Sequence, residues 1–106
     1  MFFELRQYRT LPGKMDGWVQ FMESEIIPYQ MSKGMVIVGS FVGEEEDDLY
    51  VWIRRFDSEG DRERLYAAVY ENERWTGYFN SKVGEYLDRS KTVITRIEAT
   101  SKSVIH

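Results

Sequence analysis

Two alternating hydrophobic periods along the chain constrain its fold more than any other feature. Residues 2–9 (FFELRQYR) repeat every second position, Phe3 and Leu5 on one side and Glu4, Arg6 and Tyr8 on the other, as a strand with two unlike faces does. After the turn signal Leu11-Pro12-Gly13 the spacing becomes helical from Lys14 to Lys33, with Met15, Trp18, Val19, Met22 and Ile26 on one stripe. Pro28 removes a backbone donor inside that stretch and predicts a kink or local break, while Gly34 predicts its C-terminal stop. Residues 35–42 (MVIVGSFV) and 49–56 (LYVWIRRF) are β-prone runs joined by the acidic hairpin loop GEEEDD at 43–48. Asp57-Ser58 offers an N-cap for a helix from about Glu59 through Tyr70, with Leu65, Ala68 and Val69 on its buried stripe. A further helical stretch runs from Arg74 to about Leu87, and the β-branched run 91–98 (KTVITRIE) closes the pattern.

The order is therefore β-α-β-β-α-β. Right-handed crossovers turn it into an α+β, ferredoxin-like fold: a four-stranded antiparallel sheet of spatial order 4-1-3-2 with helices on one face only. A chain of 106 residues makes this a single domain, 1–106, with room for one packed core. The second sheet face has no helix of its own chain to cover it.

Composition narrows the chemistry. There is no Cys, and the one His is His106 at the chain end, which argues against thiolate nucleophiles, zinc-thiolate sites, His-based triads and proximal-His haem ligation. No metal site and no cofactor are expected. Eighteen acidic against fourteen basic residues, net charge −4, argue against nucleic acid and anionic membrane as partners. Glu4 and Arg6 interrupt any signal-peptide core and no apolar run reaches transmembrane length, so the expected address is cytoplasmic. The unusual figure is 15% aromatic residues, more than one small core usually absorbs.

Several short elements carry a family resemblance. They are Phe3-Glu4-Leu5-Arg6-Gln7-Tyr8 followed by Leu11-Pro12-Gly13-Lys14; Pro28 followed by Lys33-Gly34; Phe56-Asp57-Ser58 before Arg62-Glu63-Arg64; and Asn72-Glu73-Arg74-Trp75. In this order and spacing they span most of the chain, which resembles the NIPSNAP family of the dimeric α/β-barrel superfamily. Members often carry His-x-Trp in the third strand, where this chain reads Trp52-Ile53-Arg54. The resemblance implies a homodimer in which two uncovered sheet faces meet and enclose a barrel-like space. It implies no single reaction, since relatives include cofactor-free monooxygenases, lactone isomerases, haem-handling enzymes and aldoxime dehydratases.

Within that frame the first and third strands are central neighbours. Phe3, Leu5, Val51 and Ile53 are expected to face the helices. Phe2, Glu4, Arg6 and Tyr8, with Tyr50, Trp52, Arg54 and Phe56, are then expected on the uncovered face, and the parity of Arg96 stays open. A register placing Arg6 opposite Trp52 also sets Glu4 against Arg54 and Tyr8 against Tyr50. The expected ligand site is a dimer-enclosed pocket formed by Arg6, Tyr8, Tyr50, Trp52 and Arg54. Glu4, Tyr8 and Tyr50 are its only candidate acid–base groups. The same composition also suits a plain dimer interface.

Other features read as structure. Trp18, Met22 and Ile26 fit a core stripe, Trp75, Tyr78 and Phe79 fit packing, and Glu44–Asp48 lacks the interleaved ligand spacing of a calcium loop. The leading functional reading is a homodimer binding a small, largely apolar carbonyl or anionic compound, with proton transfer or cofactor-free oxygen chemistry as its catalysis. The alternative is a non-catalytic assembly module whose aromatic sheet face is only interface. Haem binding ranks third, with Tyr, Arg or water on the iron.

Overall fold

In the computed structural model, which describes all of residues 1–106, the central strands β1 (Phe2–Arg9) and β3 (Leu49–Phe56) pair antiparallel. Glu4 stands opposite Arg54, Arg6 opposite Trp52 and Tyr8 opposite Tyr50, the register assumed above. The edge strands are β2 (Val36–Val42) and β4 (Val93–Ile97), giving the order β2-β3-β1-β4. A bulge between Ile37 and Gly39 leaves Val38 as the extra residue of β2.

The first helical stretch is α1 (Met15–Phe21), a π-helical turn (Met22–Ile26) and α2 (Ile27–Ser32). Pro28 lies in the first turn of α2, where a missing N–H costs least. The break expected at Pro28 takes the form of the π turn: the Ile27 N–H bonds back to Met22 O, five residues away, and the helix continues. At the other end Gly34 has φ +102°, its N–H bonds Met31 O, and the Met35 N–H bonds Gln30 O at 3.0 Å. This is a Schellman stop, and only glycine adopts that φ without strain. It fixes Gln30 in the last turn, facing the sheet.

After β3, Ser58 Oγ accepts from the Asp61 N–H at 3.0 Å and opens α3 (Glu59–Tyr70). A second π turn (Trp75–Phe79) leads into α4 (Asn80–Tyr86), and a short 3₁₀ turn (Arg89–Lys91) precedes β4. No helix is long and apolar enough to cross a membrane.

The facing of the central strands is the reverse of the one expected. Phe2, Glu4, Tyr8, Tyr50, Trp52, Arg54 and Phe56 are buried, and Arg6 half-buried, on the face that the helices cover. Contacts fix this: Tyr66 on α3 bonds both Glu4 and Arg54, and Trp18 on α1 packs edge-on against Tyr8 and Tyr50 at 5.9 Å. Arg96, paired with Glu4, shares that face and reaches Glu59 at 2.6 Å. Leu5, Val51 and Ile53 instead lie on the uncovered face with Val36, Phe41, Val93 and Ile97, the last four 39–52% exposed. Phe3 is on that side too, and is buried at its end. The physical reason is pairing. Charges enter a core once each has a partner, and aromatic side chains on α1 and α3 match an aromatic sheet face better than a bare aliphatic one.

Candidate functional site

Between this inner sheet face and the helices lies a cavity of about 510 Å³, the size of a small-molecule pocket. It lies within the single chain, between its own sheet and helices. All three tryptophans of the chain, Trp18, Trp52 and Trp75, line it. Both π turns contribute to its wall, Met22 and Ile26 from the first and Trp75 from the second. Such turns widen a helix locally and re-aim its side chains, and they recur at functional sites.

The polar floor is built around Arg54, fully buried in β3. Its guanidinium donates to Glu4 Oε1 at 2.6 Å, to Gln30 Oε1 and Tyr70 Oη at 2.8 Å each, and to Tyr66 Oη at 3.1 Å. Trp52 and Tyr66 flank it with ring centres at 4.8 and 5.2 Å, which offsets part of its desolvation. Arg6 sits two residues along β1 from Glu4. It donates to Glu4 Oε1 at 2.8 Å, Tyr66 Oη at 3.1 Å and Tyr8 Oη at 3.2 Å. Tyr8 Oη accepts also from Trp52 Nε1 at 2.9 Å, so its own proton is free.

Glu4 closes this network. Both its oxygens are engaged, Oε1 by the arginines and Oε2 by the Tyr66 hydroxyl. Burial pushes its carboxyl up, but the Arg54 and Arg6 guanidinium groups and the Tyr66 hydroxyl outweigh that and hold it at about 2. Burial raises the Tyr66 hydroxyl, against the pull of the two arginines.

The expected site residues thus separate. Arg6, Tyr8 and Trp52 line the cavity together. Arg54 lies behind the wall and orients Gln30, Tyr66 and Tyr70. Tyr50 is buried beside the cavity, its hydroxyl 2.5 Å from Ser40 Oγ, and burial pushes it up to about 12 despite that bond. Of the three acid–base candidates, Glu4 is ionised and fully bonded, Tyr50 is neutral and walled off, and Tyr8 alone reaches the cavity.

Gln30, Tyr66, Tyr70, Asn80 and Arg89 were not read as site residues from the sequence, and Trp75, read as packing, is also cavity wall. One signal was available for Gln30. Met22, Ile26 and Gln30 fall at i, i+4, i+8 on a single stripe, so an amide stands where an apolar residue belongs. The break expected at Pro28 ends that stripe too early.

At the level of sequence, the NIPSNAP family model matches residues 3–102. The chain belongs to the NIPSNAP family. Its fold agrees with a solved NIPSNAP family protein with unknown function from Agrobacterium tumefaciens, 26% identical, TM-score 0.88, covering 100% of this chain and 94% of that one. A NIPSNAP domain protein from Burkholderia xenovorans is 15% identical at TM-score 0.85, covering 97% and 98%. An antibiotic biosynthesis monooxygenase, 14% identical at TM-score 0.68 and covering 94% and 99%, shares the fold alone. No curated protein matches the chain. The NIPSNAP match and these neighbours agree with the ferredoxin-like α+β fold read from the strand and helix order.

Proposed function

We propose that this NIPSNAP protein is a cytoplasmic homodimer in which each protomer binds a small, largely apolar or aromatic compound carrying a carbonyl or anionic oxygen. The observation that carries the reading is the aromatic cavity with Arg6 and the free Tyr8 proton on its floor. Three indoles supply flat apolar walls, and a tyrosine hydroxyl held between Arg6 and Trp52 supplies a directed donor. The Tyr8 hydroxyl and the Arg6 guanidinium together on one oxygen favour negative charge developing there, as in an enolate. The reaction class this suits is cofactor-free oxygenation by dioxygen, or isomerisation, of a compound acidic enough to give its proton to water, since Glu4 is not a free base.

Dimerisation is assigned to the uncovered sheet face. Leu5, Val51 and Ile53 in its middle, flanked by Phe41, Val93 and Ile97, make a continuous apolar surface that a monomer would leave wet. The alternative of an assembly module rests on the same face, but the aromatic ladder it invoked lies under the helices.

Native mass spectrometry of the protein as purified, followed by a crystal structure, tests the proposal. The expected result is a dimer mass and density for a small organic molecule against Arg6, Tyr8 and Trp52. A monomer with a cavity holding only water would sink it.

A further inference from the structure

The donors and acceptors around the cavity are unequally matched. Gln30 is fully buried, and its orientation is set by chemistry: Arg54 only donates, so Gln30 Oε1 must face it at 2.8 Å. The amide nitrogen is thereby turned away from Arg54, and Nε2 has no protein partner. Trp18 Nε1, on a side chain 1% exposed, is likewise unpartnered. Tyr8 and Tyr70 use their oxygens to accept from Arg6 and Arg54, which leaves two hydroxyl protons to give. All four of these residues line the cavity. On the acceptor side, both Glu4 oxygens are taken and Gln30 Oε1 is taken. The charges are unequal as well: two guanidiniums, Arg54 fully buried and Arg6 half-buried, share the single Glu4 carboxylate, so one positive charge has no carboxylate of its own.

We infer that the cavity is specific for an organic monoanion of the aryl carboxylate type, whose oxygens accept from Arg6, Tyr8 and Gln30 while its ring lies among Trp18, Trp52 and Trp75. This rests on the cavity reading above and deepens it from a carbonyl or anionic compound to a ligand that carries the missing negative charge and no donor of its own. A buried donor without an acceptor keeps its desolvation cost, so a ligand group that brings N–H instead of O⁻ adds a donor beside Glu4 and Gln30 oxygens that already accept from the arginines and Tyr66. Sites built around such groups reject the mismatched analogue far more strongly than an apolar pocket rejects a methyl.

The test is isothermal titration calorimetry at pH 7 on the intact protein with three probes of one shape: 2-naphthoate, 2-naphthamide and 2-naphthylmethylammonium. The expected result is naphthoate binding at least tenfold more tightly than naphthamide, with no binding of the cation. Gln30→Glu keeps an oxygen for Arg54 while supplying the missing charge internally. It is expected to weaken naphthoate at least tenfold with an unchanged circular dichroism spectrum. Naphthamide or the cation binding as tightly as naphthoate would overturn the inference and leave the cavity reading standing, as would an unaltered naphthoate affinity in folded Gln30→Glu. No binding of any probe would overturn both. If Gln30→Glu does not fold, the three-probe series on the wild-type protein decides alone.

Discussion

The Glu4 carboxylate accepts from the Arg54 guanidinium at 2.6 Å in the layer between sheet and helices, where both side chains are at most 4% exposed. This pair joins β1 to β3, and through Tyr66, Tyr70 and Gln30 it joins the sheet to α3 and α2. Removing Arg54 leaves Glu4 with Arg6 and Tyr66 but takes away its shorter guanidinium bond, and it leaves Gln30 Oε1 and the Tyr70 hydroxyl without their buried donor. Arg54→Met is expected to lower unfolding stability by about 3–5 kcal/mol. The double variant Glu4→Gln/Arg54→Met should recover part of that loss, because the buried carboxylate that has lost one of its two guanidinium partners is then neutral. Urea unfolding of the two single variants and the double gives the coupling, and a value of zero would show that the two residues act independently.

Acid stability follows from the same carboxylate. The Glu4 carboxyl is depressed from an ordinary 4.5 to about 2 in the folded protein, so the unfolded chain takes up the proton first. Its contribution is therefore complete above pH 4.5 and is lost as pH falls through 2, a span worth up to about 3 kcal/mol. Glu4→Gln should remove most of the decline in stability between those limits. Chemical denaturation repeated at several acidic pH values reads this as a flattened slope, and an unchanged slope would assign the decline to other carboxylates.

Tyr50 titrates in the opposite sense. Burial raises its hydroxyl from 10 to about 12, so the unfolded chain ionises first as pH rises. The stabilisation is present below pH 10 and disappears as pH passes 12, up to about 2–3 kcal/mol. Tyr50→Phe, which gives up the bond to Ser40, should be less stable at neutral pH yet lose less between pH 10 and 12. Thermal melts across that range, with the tyrosinate absorbance followed in parallel, check both statements.

Much of this fold can be read from local pattern. The two periods placed all four strands and both helical stretches, and the register assumed for β1 against β3, Glu4 opposite Arg54, Arg6 opposite Trp52 and Tyr8 opposite Tyr50, is the one observed, with opposite charges and aromatic rings lined up across the strands. Facing is a different matter. A strand's alternation separates two faces without saying which one a helix will cover. The rule that charged residues point outward chose wrongly here, since it ignores partners supplied from elsewhere: Tyr66 lies 62 residues from Glu4 and Gln30 lies 24 from Arg54. The cavity escaped for a related reason. Its walls depend on two π turns, whose single extra residue leaves no mark on the average helical period.

The uncovered face makes a prediction independent of the cavity. Leu5 and Ile53 are direct cross-strand partners at its centre, half-exposed in the isolated chain. Ile53→Arg would place a charge in the middle of the proposed sheet–sheet contact, where it has no carboxylate to meet, but would leave it solvated in a monomer. Sedimentation velocity should show the dimer replaced by monomer, with far-ultraviolet circular dichroism unchanged. A variant that stays dimeric would move the interface elsewhere.

The sharpest contrast among the binding residues is between the stacked neighbours Tyr8 and Tyr50, whose rings lie 6.2 Å apart. Both carry hydroxyls and both are buried, yet only Tyr8 lines the cavity, and its oxygen takes up bonds from Arg6 and Trp52 that leave its proton to be donated. Tyr8→Phe deletes that donor and leaves Arg6 NH1 and Trp52 Nε1 without their acceptor. The affinity for 2-naphthoate should fall about tenfold or more, the effect of one charge-assisted hydrogen bond of about 1.5 kcal/mol. Tyr50→Phe removes a hydroxyl whose partner is Ser40, outside the cavity, so the affinity should stay within about twofold. Quenching of the three cavity tryptophans by the ligand provides the readout. Equal losses in the two variants would mean that they act through the stability of the shared aromatic stack rather than through a bond to the ligand.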